Sequence, residues 1–296
     1  MSAATVEPDL EVRSIGEIIK DTRNLGTEQV ERILAYQRSH GVRFGEAAIA
    51  LGLASSDDVL LALSRQFHYP YANAESRRLN PELVALNQPF GREAEAFRAM
   101  RSQILQRCQS DGQTQVLLRR AIAVVSPAVG EGKTYFCANL AITLAQLGGR
   151  TLVIDADMRG PRMHEVFRVD NRHGLSRLVA RRPLDNDGDV QAIKKVDGIA
   201  NLFVLPVGVQ PPNPLELIEG PAFGALLMEF VSKFDHVIVD TPAAACGSDA
   251  AVLGARCGLA LVIARRHAGR HAALQDLVQT LTHANATLAG VVLNEY

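Results

Sequence analysis

Two hydrophobic patterns divide the chain near residue 120. Before that point, apolar residues recur at helical spacing, which predicts four short helices between residues 14 and about 68 and another over 92–108. Beyond it, continuous apolar runs of strand length alternate with helical segments. Such runs predict parallel strands buried on both faces by helices. The predicted strands are 121–126, 151–156, 202–207, 236–241, 259–264 and 288–294.

The change of pattern predicts two folded parts. We expect a flexible start over 1–13, a small all-α module over 14–72, a linker over 73–90 and an α/β domain over 91–296. A weak repeat with a shift of about 29 residues runs through the module, where Ile15-Gly16-Glu17 matches Phe44-Gly45-Glu46. The repeat predicts two stacked helical hairpins.

Composition narrows the functional classes. Lys and Arg total 31 against 32 Asp and Glu, and a net charge of -1 argues against a nucleic-acid partner or a polybasic membrane-surface protein. Hydrophobic residues make up 47%, which excludes a mostly disordered chain. Four scattered cysteines without metal-type spacing favour reduced thiols. With neither a signal peptide nor an apolar run of about 18 residues, we expect a cytoplasmic protein that does not insert into the membrane.

A phosphate-binding loop is predicted after the strand at 121–126, where residues 126–134 read SPAVGEGKT. A small flexible loop that opens a helix directs backbone N–H groups and the positive helix end at a phosphate. Lys133 would reach the terminal phosphates, and the Thr134 hydroxyl would ligate Mg²⁺. Pro127 replaces the usual first glycine. The alternative is a chance Gly-Lys-Thr at a strand–helix junction.

Three carboxylates follow two of the predicted strands. Asp155 lies at the end of the strand at 151–156 and Asp157 directly follows that strand, while Asp240 lies at the end of the strand at 236–241. Ligands of parallel sheets bind at the carboxyl ends of the strands, and strand alternation predicts that Asp155 and Asp157 point to one side. Beside a bound Mg²⁺, one carboxylate can orient metal waters while another takes a proton from an attacking hydroxyl. For any single Asp the alternative is a helix cap or a turn.

From residue 90 onward the motifs resemble those of the bacterial tyrosine kinases, cytoplasmic enzymes of polysaccharide export. The resemblance rests on matching order and spacing of the phosphate loop, DADMRGPRMHEVF at 155–167, PPNPLEL at 211–217, Asp240-Thr-Pro and GVVLN at 290–294. It implies a P-loop NTPase fold, in which helices cover both faces of a mostly parallel sheet. It also implies ATP with Mg²⁺ as the phosphoryl donor and a protein tyrosine as the acceptor.

The resemblance also assigns roles to residues. Asp155 becomes the base or the holder of a metal water, with Asp157 and Asp240 as the other catalytic carboxylates beside Lys133. Thr134, Asp155 and Asp240 would serve the metal. The residues implied to hold the nucleotide are Gly130, Glu131, Gly132, Lys133, Thr134, Tyr135 and Asn294.

Assembly is implied by the same resemblance. Glu95, Arg98 and Arg101 match the family's Glu-x-x-Arg-x-x-Arg helix, which implies a subunit interface in a ring-like homo-oligomer. The alternative is a solvated helix face with an i,i+3 ion pair. The family's membrane-spanning activator would be a separate chain-length-determinant protein, or polysaccharide co-polymerase. That partner would recruit the chain to the inner face of the plasma membrane.

The amino-terminal module resembles the N-terminal module of type II secretion and pilus-assembly ATPases, some of which bind cyclic di-GMP. Arg43, Gly45, Gly52 and Leu53 match that pattern. In the first copy of the repeat, Ser14 stands where the arginine belongs. Docking of another protein is the alternative function of the module.

Two other functions stay open for the whole chain. Its five tyrosines, at 36, 69, 71, 135 and 296, form no cluster like the family's autophosphorylated tail. A non-kinase subunit that binds and hydrolyses ATP to regulate the polysaccharide machinery is therefore one alternative. A partition-type ATPase is the other, disfavoured because Ala128 occupies the position of that branch's second lysine.

Overall fold

The computed structural model describes residues 14–66, 80–109, 121–180 and 192–295, except for the side chains at 65, 108 and 109. The chain divides into two compact units, Met1–Glu75 and Ser76–Tyr296. No helix in the described ranges combines the length and the apolar character needed to cross a membrane. The predicted start at 1–13 and the tyrosines at 69, 71 and 296 lie outside the described residues.

The first unit contains the four predicted helices. They are α1 (Ile15–Arg23), α2 (Thr27–His40), α3 (Phe44–Ala50) and α4 (Ser56–Gln66). Their buried side chains form one small core. Its buried members are Ile18, Ile19, Leu25, Ile33, Ala47, Ala48, Ala54 and Ala62.

The helices of this unit begin with one kind of hydrogen bond. The Ser14 N–H donates to the Glu17 carboxylate at 2.7 Å, and the Arg43 N–H donates to Glu46 at 2.9 Å. Such bonds satisfy donors that a helix start leaves unpaired.

The same interaction begins α2, where the Gly26 N–H donates to Gln29 at 3.0 Å, and α4, where the Ser55 N–H donates to Asp58 at 2.7 Å. The predicted pair of stacked hairpins is not seen, because α1 packs on α4 and α2 packs on α3.

The second unit is built on a seven-stranded sheet with the order β3-β4-β2-β5-β1-β6-β7. Every pairing is parallel except that of β3 with β4. All six predicted strands are present. The two-residue strand β3 was missed, because two residues show no periodicity. The strands are β1 (Ala121–Val125), β2 (Thr151–Asp155), β3 (Lys194–Lys195), β4 (Leu202–Leu205), β5 (His236–Asp240), β6 (Gly258–Arg265) and β7 (Thr287–Asn294).

Helices flank this sheet, as predicted for a P-loop NTPase fold. The central strands β1 and β2 are buried along their whole length, which explains their continuous apolar sequences. The helices are α5 (Val84–Asn87), α6 (Arg92–Gln109), α7 (Lys133–Ala145), α8 (Met163–Phe167), α9 (Leu175–Ala180), α10 (Pro214–Glu219), α11 (Pro221–Lys233), α12 (Asp249–Cys257) and α13 (His271–His283).

One boundary differs from the sequence prediction. Residues 80–90, assigned to a linker, belong to the second unit because α5 packs there with Leu83 and Leu86 buried. Asn139 of α7 accepts the Ala85 N–H at 2.9 Å and donates to the Glu82 carbonyl at 2.8 Å. A buried amide that fixes two backbone groups ties this segment to α7. Residues 73–79 of the predicted linker lie outside the described residues.

Candidate functional site

The loop between β1 and α7 has the shape that the phosphate-loop prediction requires. Gly130 and Gly132 adopt φ values of 81° and 93°, a region that side chains rarely tolerate. The Ser126 hydroxyl donates to the Ala128 carbonyl at 2.7 Å. The loop therefore folds back on itself and opens at the N-terminus of α7, where N–H groups lack helical partners.

Lys133 begins α7 with its side chain directed into the loop. Its ammonium donates to the Ser126 hydroxyl at 3.0 Å, and only 7% of the residue is exposed. The charges of Asp240 and Glu131 are also close enough to interact with this ammonium, because Lys133 opposes the increase in the pKa of both. The loop thus presents a positive charge in the place where phosphates would bind.

Thr134 lies against the carboxyl end of the neighbouring strand β5. Its hydroxyl donates to Asp240 Oδ2 at 2.7 Å, while the Cys137 thiol lies 3.7 Å from Asp240 Oδ1. Burial raises the pKa of Asp240 to about 6, although the bond from Thr134 and the charge of Lys133 oppose the increase. A hydroxyl and a carboxylate are therefore adjacent on two elements of the sheet edge.

Asp155 ends strand β2 directly beside Asp240 of β5 in the sheet register. Its carboxylate is fully buried and accepts the N–H of Asp157 at 3.2 Å and the N–H of Met163 at 3.0 Å. Burial, and then the charge of Asp240, raise the pKa of Asp155 well above its usual range. The two predicted strand-end carboxylates thus form one buried acidic pair.

Asp157 lies outside the strand, in the turn that follows it. Its Oδ1 accepts the N–H of Arg159 at 3.2 Å and that of Gly160 at 2.9 Å. Because β2 ends at Asp155, the expected strand alternation does not extend to Asp157. Asp157 is half-buried, so it is the more accessible of the two carboxylates in this motif.

The oxygen groups here fit a magnesium site completed by phosphates. No group of three His, Cys, Asp or Glu that would hold a metal alone occurs within the described ranges. Mg²⁺ usually takes one or two protein carboxylates together with phosphate oxygens and water. The adjacent hydroxyl of Thr134 and carboxylate of Asp240 match that requirement.

Glu131 and Asn294 support the loop from the side of β7. The Glu131 carboxylate is buried and accepts the Ala128 N–H at 3.4 Å, and burial raises its pKa. Asn294 donates to the Glu131 carbonyl at 3.1 Å. Tyr135 instead packs its ring edge-on to Phe97 of α6, 5.8 Å between centroids. These three residues hold the loop and the start of α7 from their outer sides.

The helix carrying Glu95, Arg98 and Arg101 binds within its own unit. Arg98 donates to Glu95 at 2.7 Å and also to the Pro89 carbonyl. Arg101 donates to the Thr143 carbonyl of α7 at 2.8 Å. The i,i+3 pair is present, and both arginines attach α6 to the rest of the unit.

The four candidate residues of the first unit divide into exposed and packed groups. Arg43 and Gly52 are exposed, and Gly52 has a φ of 67°. Gly45 is buried, and a Cβ there would lie 2.7 Å from Val59 Cγ1. Leu53 packs against the core of the unit. Packing therefore explains Gly45 and Leu53 without a ligand.

Sequence reasoning missed one pair of side chains at this site, Arg159 and Asp249. Arg159 Nη2 lies 2.9 Å from Asp249 Oδ2. Asp249 is the first residue of α12 and follows no recognised motif. Its only sequence signal was an acidic residue at a helix start, which is common in any helix.

This chain is similar in sequence to several tyrosine-protein kinases. Residues 122–296 match the model of the family described as CobQ/CobB/MinD/ParA nucleotide binding domain. The tyrosine-protein kinase wzc of Salmonella typhimurium is 33% identical over 213 residues, 72% of this chain and 28% of that protein. The putative tyrosine-protein kinase CapB of Staphylococcus aureus is 31% identical over 213 residues, 72% of this chain and 89% of CapB. The chain thus spans little more than a quarter of the first relative's length and most of the second's.

Solved structures of related proteins superpose on this chain. The kinase domain of Escherichia coli tyrosine kinase ETK superposes with a TM-score of 0.66 at 28% identity, covering 77% of this chain and 88% of that one. The chimerical protein CapA2B2 gives a TM-score of 0.65 at 30% identity, covering 79% and 97%. The cell division ATPase MinD of Pyrococcus furiosus, at 24% identity and a TM-score of 0.50 over 60% of this chain and 72% of that one, shares the fold.

Proposed function

This chain belongs to the bacterial tyrosine kinases, a family with a CobQ/CobB/MinD/ParA nucleotide-binding domain, and we propose on that premise that it transfers a phosphoryl group from ATP to protein tyrosines. The observation that carries the proposal is the contact between Thr134 and Asp240, 2.7 Å, beside the buried ammonium of Lys133. In this role the chain would regulate exopolysaccharide polymerisation and export.

In this proposal the phosphate loop binds the donor. Lys133 exchanges its bond to Ser126 for the terminal phosphates, where an ammonium stabilises the developing charge. Gly130, Glu131 and Gly132 offer backbone N–H groups to the phosphates, and Asn294 holds the loop in place. Thr134 and Asp240 would hold Mg²⁺, which when bound would neutralise phosphate charge and align the donor.

The two carboxylates after β2 have different parts in this proposal. Asp155 is fully buried with both oxygens bound to backbone N–H groups, which supports a role in orienting metal water. Asp157 is half-buried in a turn, which supports contact with the incoming tyrosine hydroxyl. A carboxylate there would accept the proton of the hydroxyl as the phosphoryl group is transferred.

Labelled ATP with Mg²⁺ and a tyrosine-containing acceptor tests this function. Phosphotyrosine found by mass spectrometry, and lost in Asp157→Asn, supports the kinase. Turnover of ATP without any phosphotyrosine would favour the alternative, a regulatory subunit that binds and hydrolyses ATP. DNA-stimulated turnover would favour a partition-type ATPase.

For assembly, we propose a homo-oligomer recruited to the membrane by a chain-length-determinant protein. Glu95 supports this proposal because its side chain is 72% exposed on α6, whereas Arg98 is turned inward. Co-sedimentation with membranes that contain the partner, compared with membranes that lack it, tests the recruitment. Binding to both membranes equally would contradict it.

For the first unit, we propose weak binding of cyclic di-GMP. The exposed guanidinium of Arg43 at the start of α3 and the exposed Gly52 beyond its end support such a site. Arg43 contacting a phosphate would contribute about 1.5–3 kcal/mol, or roughly tenfold to a hundredfold in affinity. Calorimetry on the full chain, with Arg43→Ala and the exposed Arg38→Ala as a control, tests it. An absence of heat at high ligand concentration would leave protein docking as the function of the module.

A further inference from the structure

Arg159 and Asp249 form a two-pronged ion pair beside the carboxylates of the site. Arg159 Nη2 lies 2.9 Å from Asp249 Oδ2 and 3.2 Å from Oδ1, and Nε lies 3.3 Å from Oδ2. The Asp249 side chain is fully buried, and that of Arg159 is 38% exposed. Parallel N–H bonds to both oxygens of a carboxylate fix orientation as well as distance.

The backbone at Gly247 passes close to both side chains of this ion pair. Gly247 has a φ of 151°, which side chains rarely adopt. A Cβ on Gly247 would lie 2.8 Å from Asp249 Oδ2 and 3.3 Å from Arg159 Nη2. The chain therefore passes so close to the ion pair that only glycine fits at position 247.

The pair joins the turn that carries Asp157 to the start of α12, which follows the segment after Asp240. On one side, the backbone N–H of Arg159 donates to Asp157 Oδ1, so the arginine and Asp157 share one turn. On the other, the segment that leads from Asp240 to Asp249 lies against the phosphate loop. There the Ala244 N–H donates to the Ser126 carbonyl at 2.9 Å and the Ala245 N–H to the Pro127 carbonyl at 3.0 Å.

We propose that Arg159 and Asp249 are a positioning pair that holds Asp157 in register with the phosphate loop. Both residues would act through the turn that carries Asp157 and not on the reacting atoms. The proposal rests on the proposed function, in which Asp157 faces the acceptor hydroxyl. Removal of the arginine leaves a buried carboxylate without its partner, which is far more unfavourable than loss of an exposed pair. The turn that carries Asp157 then loses its attachment to α12.

Hydrogen–deuterium exchange tests the pair without any assay of activity. In Arg159→Ala we expect the amides at 159–160 and 244–245 to exchange about tenfold faster, because local opening becomes easier. The amides of β4 should be unchanged. Arg162→Ala is the matched control, since Arg162 pairs at 2.8 Å with Glu82, with 51% and 34% of the two side chains exposed. Unchanged exchange at 159–160 in Arg159→Ala, or an equal rise throughout the unit, would overturn the proposal.

Kinetics separate positioning from binding. We expect Arg159→Ala and Asp249→Asn to lower kcat by up to about a hundredfold while the KM for ATP changes by less than about twofold. Arg159→Lys, which keeps the charge and loses the fork, should recover part of kcat. A parallel loss in kcat and ATP affinity in all three variants would overturn the proposal. If the wild type transfers no phosphate, the proposed function fails. The exchange experiment alone then decides whether Arg159 and Asp249 hold the turn that carries Asp157.

Discussion

The hydroxyl of Thr134 donates to Asp240 Oδ2 across 2.7 Å, joining the first turn of α7 to the end of β5. Asp240 is fully buried beside Asp155, and its pKa is raised to about 6. Two buried carboxyl groups in one site favour the protonated form of each. Ionisation of both carboxyl groups is therefore unfavourable, and a bound cation would relieve their repulsion.

The raised pKa of Asp240 predicts a pH dependence of stability. The native state binds more protons than the unfolded state between about pH 4 and pH 6, so the free energy of unfolding falls as pH rises through that window. Asp155 acts in the same direction. Asp240→Asn should therefore be more stable than wild type by about 1–3 kcal/mol at pH 8, with less difference at pH 4. Urea unfolding without nucleotide, with the exposed Asp276→Asn as control, measures this. A wild-type stability that rises across the window would contradict it.

Removal of the loop ammonium should weaken ATP binding or abolish turnover. Lys133→Met keeps the length of the side chain but loses the positive charge that we assign to the phosphates. We expect ATP binding or turnover to fall at least about a hundredfold, as for other groups that stabilise developing charge. Titration with a fluorescent nucleotide measures the binding. Lys195→Met, an exposed position on β3, is the control, and wild-type turnover in Lys133→Met would refute the phosphate-loop assignment.

Asp157→Asn should separate chemistry from folding. One oxygen of Asp157 accepts both of its backbone N–H bonds, so an asparagine oxygen can replace it. The free energy of unfolding should stay within about 0.5 kcal/mol of the wild-type value. Phosphotyrosine formation should fall by about a hundredfold or more, because the amide accepts no proton. Normal transfer in this variant would make Asp157 a structural residue of the turn.

The sequence predicted the sheet well because each central strand is buried on both faces and is therefore continuously apolar. It also predicted that Lys133, Thr134 and Asp240 lie close together, since the carboxyl ends of parallel strands lie at one edge of the sheet. It predicted the pair of Arg98 with Glu95 but not the bond of Arg98 to the Pro89 carbonyl, because a backbone carbonyl as acceptor leaves no trace in the side-chain pattern. The packing of 80–90 was missed for a related reason, since the turn-forming residues there concealed a single buried helical turn.

The repeat-related glycines of the first unit should respond oppositely to alanine. A Cβ at Gly45 would meet Val59 Cγ1 at 2.7 Å, whereas at Gly16 it would meet the Phe44 ring at an ordinary 3.7 Å. Gly45→Ala should destabilise the unit by about 1–3 kcal/mol through overpacking. Gly16→Ala should be neutral or stabilising by up to about 1 kcal/mol, since alanine favours helix. Exchange protection of α1 to α4 in the full chain distinguishes the two, and equal effects would contradict the packing difference.

Glu95, which is exposed on α6, and Arg101, which binds within the unit, should affect assembly differently. Arg101 bonds to the Thr143 carbonyl, so Arg101→Glu should lower the melting temperature whether or not the protein assembles. Glu95 is 72% exposed, and its pair with Arg98 contributes at most about 0.5 kcal/mol. Glu95→Lys should therefore keep the melting temperature while reducing any oligomer seen by sedimentation at high protein concentration with ATP. The opposite result would be an oligomer that persists in Glu95→Lys and is lost in Arg101→Glu only when the melting temperature also falls. Assembly would then depend on correct folding and not on the exposed charge. In that case α6 would stabilise the unit without forming a subunit interface.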